Sequence, residues 1–275
     1  MNPATVSSLL ALNRRFYQDF GASFAATRRR LQPGVRRILQ HIPGAGCWFD
    51  PGCGGGRLAC QWIGEGRQGL YLGLDFSPVL LAEAQAAVSA LPPTPGLEVR
   101  FELADLSQPG WATALEGHLP AGARWDGALA FAVLHHLPGW ELRQRVMQQV
   151  HDLLPVGGRF IHSEWQFQHS PRLLGRRLPW SRLGLEETDL EEGDTLLDWR
   201  HALPGQPQKV GLRYVHLFSR EELARLANES GFTILEEFES DGKEGRLALY
   251  QVWLRQGPEE RNHRFAQINT ESTLK

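Results

Sequence analysis

Four glycines fall within five positions directly after an apolar run that ends in a carboxylate. The run Cys47–Phe49 leads to Asp50, and the turn that follows contains Gly52, Gly54, Gly55 and Gly56. Glycine accepts a positive φ and has no Cβ, so such a turn lets a ligand lie directly on the backbone. Helix-compatible residues 58–63 come next, and a helix N-terminus attracts polar and anionic ligand groups. The stretch predicts a nucleotide-type site in a strand–loop–helix unit.

Two further carboxylates, Asp75 and Asp105, follow the next two predicted strands. A dinucleotide fingerprint would require a third glycine at position 57, where the chain has Arg57. A phosphate-binding loop of the Walker type would require Gly-Lys-Ser/Thr after the turn, and this chain has no such sequence there. The glycine pattern therefore does not fit either common nucleotide motif. Because ribose hydroxyls are hydrogen-bond donors, a fixed carboxylate such as Asp75 suits a nucleoside.

The bulk composition bounds the fold class. The 275 residues allow one large α/β domain with an insertion or two small domains, and 42% hydrophobic residues suffice for a buried core. The three cysteines at 47, 53 and 60 have no C-x-x-C spacing, which favours a reducing compartment. The apolar run Leu9–Leu12 is too short for a signal-peptide core, and Ala128–Leu134 is too short to span a membrane. We expect a soluble, cytoplasmic protein without membrane contact.

The net charge of −2 conceals strong local asymmetry. One basic cluster contains Arg14, Arg15, Arg28, Arg29, Arg30, Arg36 and Arg37, and a second contains Arg172, Arg176, Arg177 and Arg182. An acidic run follows the second cluster, with six carboxylates between residues 186 and 194. Arginine clusters supply backbone contacts to nucleic acid, although a solvated helix face is their commoner role.

The predicted elements alternate strand and helix after residue 45, which indicates a parallel sheet covered by helices on both faces. Only a short polar turn joins the last two strands, 232–238 and 247–254, and a parallel crossover needs a dozen or more residues. The fold class is therefore α/β, with a seven-stranded sheet whose last strand is antiparallel. Residues 166–212 show no regular hydrophobic period, so we interpret them as an insertion after the fifth strand. The expected parts are a helical cap (1–44), a cofactor-binding core (45–165), a substrate-side insertion (166–212), the remainder of the core (213–256) and a polar tail (257–275).

The glycine turn and its carboxylates resemble those of class I S-adenosylmethionine (SAM)-dependent methyltransferases, over roughly residues 45–165 and 219–254. The resemblance implies a Rossmann-like fold with SAM as cofactor and no metal. It implies that Gly52, Gly54 and Gly56 line the methionine and ribose moieties. It also implies that Asp75 accepts hydrogen bonds from the ribose hydroxyls and that Asp105 binds the adenine amino group. The rest of the implied cofactor site is Asp50, Phe76, Ala104, Leu106, Ala132 and Val133.

A narrower resemblance concerns the methyl acceptor. Residues 13–17 with 24–28, 132–136, 164–165 and 213–218 resemble segments of the tRNA wobble-uridine carboxymethyl methyltransferase family, which esterifies a 5-carboxymethyl group. The chain departs from that family's pattern at Leu197-Asp198-Trp199 and at Val215, where the acceptor would lie. The resemblance implies tRNA as the partner that carries the acceptor. Related enzymes in some organisms also work with a small activating protein, so such a partner is possible here.

A carboxylate acceptor is already ionised at pH 7, so its esterification needs no general base. It needs placement in line with the sulfonium carbon and cations that hold the carboxylate, for which Arg28, Arg213 and His216 are candidates. Tyr17, Trp165 and Trp199 could stack on a splayed-out base. Arg213 and His216 could instead form ion pairs that fix the insertion, including pairs with the acidic run.

His135 and His136 follow the fourth strand, at the sheet edge where ligands bind. One of the two could fill the core while its neighbour faces the site. Two other functions remain open from the sequence: a small-molecule O-, N- or C-methyltransferase with residues 166–212 as a substrate lid, and a SAM-binding module without catalytic activity.

Overall fold

The computed structural model describes residues 1–27, 30–201 and 208–257. Its helices are α1 (Pro3–Thr27), α2 (Pro33–Leu39), α3 (Arg57–Gly64), α4 (Pro78–Ser89), α5 (Trp140–Leu153), α6 (Pro171–Leu174) and α7 (Arg220–Glu229). Its strands are β1 (Ala45–Pro51), β2 (Gln68–Asp75), β3 (Leu97–Leu103), β4 (Gly127–Phe131), β5 (Arg159–Trp165), β6 (Arg177–Leu178), β7 (Asp194–His201), β8 (Lys209–His216), β9 (Phe232–Ser240) and β10 (Ala248–Arg255). Of the helices described, none combines the length and the apolar character that crossing a membrane requires.

The main sheet has seven strands in the order β3-β2-β1-β4-β5-β10-β9. Strands β1 to β5 pair in parallel, whereas β10 runs antiparallel to both β5 and β9. The predicted α/β class and the antiparallel last strand are confirmed. The chain order reverses between β1 and β4, so the carboxyl ends of these strands border the crevice where ligands bind in such sheets.

Neighbouring residues of the central strands pack on opposite faces of the main sheet. Phe49 and Leu72 belong to a core cluster with Met147 of α5 and Leu226 of α7. Trp48 and Tyr71 belong to a second cluster with Leu39 of α2 and Trp62 of α3. This alternation follows from the two-residue period of a strand, and it buries both faces. Helices on both faces were predicted, and they are confirmed.

The segment predicted as an irregular insertion contains regular structure. Strands β6, β7 and β8 form a separate antiparallel sheet in that order, which we call the small sheet. In β7 the consecutive residues 195–199 are all buried, so the alternation that marks a half-exposed strand is missing. Strand β8 also crosses the predicted boundary between residues 212 and 213. Arg213 and His216 therefore belong to the small sheet and not to the C-terminal part of the core.

Helix α1 joins the small sheet to the main domain. Leu9 packs with Trp180, Leu196 and Tyr214, three residues of the insertion and β8. Further along the same helix, residues 16 and 17 pack with Trp199 of β7 and Leu80 of α4. Helix α1 of the predicted cap therefore packs against both the small sheet and the main domain. The predicted polar tail lies, apart from residue 257, outside the described residues.

Candidate active site

The glycine turn after β1 is held against the end of β2. The backbone N–H groups of Gly52 and Cys53 both donate to the carbonyl of Leu74, at 2.7 and 2.9 Å. A Cβ at Gly52 would lie 2.6 Å from a Val133 methyl, and a Cβ at Gly56 would lie 2.8 Å from the Ala84 Cβ. These two glycines thus permit close packing between the turn and its neighbours.

Gly54 has a different role in the same turn. Its φ is +55°, and a Cβ at this position would meet no atom within 4 Å. The open space beside Gly54 is part of a cavity of about 720 Å³ that is lined by the carboxyl ends of the strands. A missing Cβ at this position leaves the backbone accessible to a ligand, which fits a nucleoside-type cofactor.

Asp75 is fixed by backbone donors at the end of β2. Its Oδ2 accepts from the Gly54 N–H at 3.0 Å, and its Oδ1 accepts from the Ser77 N–H at 2.9 Å. Burial raises the pKa of Asp75 to about 6, although the backbone N–H groups of Ser77, Gly54 and Phe76 oppose the shift. A carboxylate offers about four acceptor sites, so both oxygens retain capacity for ribose hydroxyls.

Asp50 lies below the turn and is also buried. Burial raises the pKa of Asp50 to about 7; the Tyr71 hydroxyl, which donates to it, opposes this shift, and the nearby Asp75 adds to it. Two carboxyl groups of raised pKa beside one cavity are suited to a cationic ligand, because a positive charge favours their ionised forms.

Asp105 follows β3 and contacts both its own loop and helix α1. Its Oδ1 accepts from the Ser107 N–H at 2.9 Å. Its Oδ2 accepts from Arg14, at 3.1 Å from Nε and 2.5 Å from Nη2. In the sequence, Arg14 stands out only as a member of a basic cluster. Its position three residues before Tyr17 on one helix is the signal that could have placed both side chains on the same face.

The predicted cofactor residues converge on the one cavity. Ten of them line it: Asp50, Gly52, Gly54, Asp75, Phe76, Ala104, Asp105, Leu106, Ala132 and Val133. Gly56 does not line it and instead packs against α4. Ala132 has a φ of +61° and donates its N–H to the Ser163 carbonyl at 2.8 Å, which turns the chain sharply at the end of β4.

The candidate acceptor residues divide into two groups. Tyr17, His136, Trp165 and Arg213 line the same cavity as the cofactor residues, together with Trp199. His135 and His216 do not line it, and Arg28 lies outside the described residues.

The two adjacent histidines have opposite environments. His136 Nδ1 lies 3.3 Å from the Tyr214 carbonyl, so this nitrogen must carry the proton. Its Nε2, 3.0 Å from the Tyr17 hydroxyl, then accepts a hydrogen bond from that phenol in the neutral ring. His135 is fully buried, and its Nδ1 lies 2.8 Å from Glu164 Oε2. His136 is therefore the histidine that faces the cavity.

Glu164 anchors the buried histidine from the end of β5. Its Oε2 also accepts from the backbone N–H of His135 at 3.0 Å, and its Oε1 lies 3.1 Å from His162 Nδ1. Burial raises the pKa of Glu164 well above its usual value and lowers the pKa of His162 to about 3. Burial thus favours the uncharged forms of both Glu164 and His162. This network supports the end of β5 from within the core.

Arg213 is a buried cation at the cavity wall. Its side chain belongs to β8 and is 3% exposed. The guanidinium carbon lies 4.6 Å from the centre of the Trp165 ring and 5.6 Å from that of Phe16. Cation–π contacts of this kind orient a guanidinium at the cavity wall.

His216 requires a correction, because the structure places it away from the cavity. Its Nδ1 lies 2.7 Å from Asp194 Oδ1, and its Nε2 lies 2.9 Å from Glu222 Oε2. Burial alone lowers the pKa of His216, but hydrogen bonds to Asp194 and Glu222 outweigh it and raise the pKa. The alternative of an ion pair with the acidic run is the one found. Since carboxylates occupy both ring nitrogens, neither remains to bind an acceptor.

Comparison with known proteins places this geometry in a family. Residues 24–237 match the family described as Methyltransferase domain. A protein of Encephalitozoon cuniculi that bears the name of a methyltransferase is 28% identical over 227 residues, which cover 81% of this chain and 87% of that protein. The tRNA (carboxymethyluridine(34)-5-O)-methyltransferase of Schizosaccharomyces pombe is 23% identical over 236 residues, which cover 80% and 88%.

Solved structures agree in fold. A SAM-dependent methyltransferase from Methanosarcina mazei matches with a TM-score of 0.58 at 20% identity, over 82% of this chain and 98% of that chain. The glycopeptide N-methyltransferase MtfA, solved with SAM, matches with a TM-score of 0.55 at 15% identity, over 82% and 86%. At these identities the likeness shows the fold alone, whereas the family match spans most of the chain. The chain therefore belongs to the methyltransferase-domain family, as a class I enzyme whose methyl donor is S-adenosylmethionine.

Proposed function

We propose that this enzyme esterifies a carboxylate, and that its acceptor is the 5-carboxymethyl group of a wobble uridine in tRNA. The observation that carries the proposal is the buried guanidinium of Arg213 in the wall of the cofactor cavity. Relatives from Schizosaccharomyces pombe, Arabidopsis thaliana and Xenopus tropicalis carry the name tRNA (carboxymethyluridine(34)-5-O)-methyltransferase, at 23% to 26% identity.

The cofactor, when bound, supplies an electrophilic methyl group on a sulfonium. In the proposed arrangement Asp75 accepts hydrogen bonds from the ribose hydroxyls. The Gly54 and Ser77 N–H groups hold its carboxylate in position. Asp105 accepts a hydrogen bond from the adenine amino group. Because Gly54 has no Cβ, the ligand can approach the backbone at that position. The geometry of the turn therefore supports this position for the methyl donor.

The acceptor end rests on charge. An ionised carboxylate needs no base to become nucleophilic, and its barrier falls when it is held in line with the reacting carbon. Arg213 can hold a carboxylate in two parallel hydrogen bonds, with its plane fixed by Trp165. Because the site is largely buried, this charge-assisted contact is screened little by water.

The cavity walls suit a nucleotide around that carboxylate. Tyr17, Trp165 and Trp199 present aromatic surface to the cavity, and a flipped-out base stacks on such rings. Arg30, Arg172 and Arg176 also line it, from two separate segments of the chain. Arginines at the border of an aromatic pocket are suited to the phosphates that flank a base.

A small carboxylate, hydroxyl or amine metabolite is the alternative acceptor. The small sheet contributes Trp199, Arg200 and Arg213 to the cavity, as a lid over a small substrate would. The Tyr17 hydroxyl and His136 Nε2, 3.0 Å apart, could take a proton from a hydroxyl or amine. A carboxylate acceptor does not use this capacity.

The test is methyl transfer from SAM to tRNA that carries 5-carboxymethyluridine at the wobble position. We expect a nucleoside one methyl group heavier, which mild alkali returns to the parent acid because the new bond is an ester. The assay is run with the purified chain and with added soluble protein extract, since related enzymes in some organisms work with a small activating protein. Transfer to an RNA-free metabolite extract, with none to the tRNA under either condition, would favour the small-molecule alternative.

A further inference from the structure

Three polar side chains of α1, those of Asn13, Arg14 and Tyr17, line the cofactor cavity from one stretch of the helix, and only Tyr17 has a role in the function proposed above. Asn13 is buried and exchanges hydrogen bonds with the backbone of Tyr214, accepting its N–H at 2.9 Å and donating to its carbonyl at 3.2 Å. Tyr17 bonds to His136. Arg14, beside Asn13, lines the cavity at Asp105. Asn13 and Tyr17 hold the helix in place, so the position of Arg14 is defined by its neighbours.

Arg14 is held by two residues of the loop after β3. Its Nε and Nη2 lie 3.1 and 2.5 Å from Asp105 Oδ2, and its Nη2 lies 3.0 Å from the Ser107 hydroxyl. These contacts use two of the three guanidinium nitrogens. An arginine has five N–H donors and no acceptor, so the donors of Nη1 take no part in them.

Asp105 can accept a further hydrogen bond without losing Arg14. Its two oxygens offer about four lone-pair positions. Ser107 N–H uses one on Oδ1, and Arg14 uses two on Oδ2. One position on Oδ1 remains for the amino group of an adenine. The ion pair and adenine binding are therefore compatible.

Asp105 and Arg14 together present a hydrogen-bond acceptor, the Asp105 carboxylate, beside a donor, the Arg14 guanidinium, at the cavity surface. The Watson–Crick edge of adenine presents the complementary order, the amino donor beside the acceptor N1, and in a 6-oxopurine N1 carries a proton instead. A 6-oxopurine has a carbonyl at the position of the amino group, which would face the Asp105 carboxylate without a proton between them. A site built to hydrogen-bond a substrate group discriminates strongly against an analogue that lacks it.

We propose that Arg14 is a cofactor-recognition residue, which donates a hydrogen bond to N1 of the SAM adenine while Asp105 accepts one from its amino group. The proposal rests on the placement of adenine at Asp105 in the proposed function. It makes α1, which lies outside the main sheet, a part of the cofactor site. The ordinary alternative is a surface ion pair, since Arg14 is 40% exposed, and such pairs contribute about 0–1 kcal/mol to stability.

The neighbouring arginine provides a matched control. Arg15 is 83% exposed and pairs with Asp19 one turn along the same helix, at 3.8 Å. Arg15→Ala removes the same charge from the same helix without touching the cavity. A general effect of charge or helix propensity would therefore change both variants alike.

Calorimetry with S-adenosylhomocysteine and S-inosylhomocysteine tests the proposal. We expect the wild type to bind the adenosyl ligand more tightly than the inosyl ligand. Arg14→Ala should bind the adenosyl ligand roughly tenfold more weakly, and its ratio of affinities for the two ligands should fall by a similar factor. Arg15→Ala should match the wild type for both ligands. Arg14→Lys, which retains a donor, should recover part of the preference.

Two outcomes would overturn the role of Arg14. One is an unchanged affinity for both ligands in Arg14→Ala. The other is an equal loss for both ligands with the preference intact, which would make Arg14 an anchor of α1 only. A wild type that binds neither ligand would instead contradict the assignment of the cofactor site, so the two failures are distinguishable.

Discussion

His216 Nδ1 lies 2.7 Å from Asp194 Oδ1. This buried contact links the neighbouring strands β7 and β8 of the small sheet, at the point where the sheet meets the core. The other ring nitrogen contacts Glu222 of α7, and Arg143 of α5 contacts Glu222 and Glu191. Charges from four elements, β7, β8, α5 and α7, thus compensate one another in a site of low exposure. The sheet that carries Arg213 is positioned by this network.

His216→Ala should therefore lower stability and leave cofactor binding intact. Removing one partner from a buried charge network costs about 3–5 kcal/mol, because the remaining charges lose compensation. Since the folded pKa of His216 is raised, its contribution is fully present below its usual pKa of 6.5 and is lost as pH rises through the folded pKa. Urea unfolding of the wild type should show this decline above pH 6.5, and the variant should show less of it. A His216→Ala protein of wild-type stability would contradict the structural role.

Gly56→Ala should mainly lower the stability of the fold, whereas Gly54→Ala should mainly weaken cofactor binding. Both positions have positive φ, so each alanine costs about 1–2 kcal/mol in backbone strain. At Gly56 the new methyl would also lie 2.8 Å from Ala84, so we expect a much larger loss of stability. At Gly54 the methyl would enter the cavity, so this variant should fold and bind S-adenosylhomocysteine at least tenfold more weakly. Thermal unfolding and calorimetry on both variants check the contrast, which equal ligand affinities would refute.

Affinity for S-adenosylhomocysteine should depend on pH through Asp75. Its pKa is raised to about 6, and only the ionised carboxylate accepts from both ribose hydroxyls. Binding therefore favours the deprotonated form, and the affinity should fall as pH decreases through 6, by up to about tenfold per unit. Calorimetry from pH 5 to 8 measures the change, with Asp75→Ala as a control that binds poorly at every pH. A flat profile in the wild type would contradict the role of this carboxylate.

The donor site was predictable from sequence because it is local. Gly52, Gly54 and Asp75 lie within one strand–loop–helix–strand run, and their spacing alone places them at one sheet edge. The acceptor site depends on contacts between distant segments. No spacing indicates that His216 pairs with Asp194 or that Arg14 reaches Asp105, since both contacts depend on how α1 and the small sheet dock.

One cap illustrates the same limit. Ser219 and Glu222 have the spacing of a capping box, and the Ser219 hydroxyl does accept the Glu222 N–H at 3.0 Å. The Glu222 carboxylate, however, contacts His216 and Arg143. The Ser219 bond of such a cap is therefore local, whereas tertiary contacts determine where the Glu222 carboxylate lies. The expected cytoplasmic location and the activating protein stay predictions.

Glu164→Gln should keep the fold and gain stability relative to the wild type as pH rises. A glutamine can still accept from His135 and donate to His162, without an ionisable group in the core. Because the folded pKa of Glu164 is raised, its stabilising contribution is present below its usual pKa of 4.5 and is lost above it. The difference between variant and wild type should grow with pH above 4.5, by at most about 1.4 kcal/mol per pH unit, until the pH reaches the folded pKa of Glu164. Urea unfolding at pH 5, 6 and 7 measures it, and a constant difference would mean that Glu164 is ionised in the fold.

Arg213→Ala should bind S-adenosylhomocysteine like the wild type and lose methyl transfer. The side chain lines the cavity where the acceptor carboxylate is proposed to bind, and a charge-assisted contact with a buried carboxylate accounts for about 2–5 kcal/mol, or roughly 30- to 5,000-fold in kcat/KM. Arg213→Lys keeps the charge but not the paired hydrogen bonds, so we expect it to retain a small part of the activity. Arg225→Ala, an exposed change on α7, should match the wild type and serves as the control. Transfer to a hydroxyl or amine acceptor would not depend on this cation in the same way. Full activity of Arg213→Ala on tRNA would therefore contradict the carboxylate site, whereas a loss of both binding and activity would mean that Arg213 supports the fold.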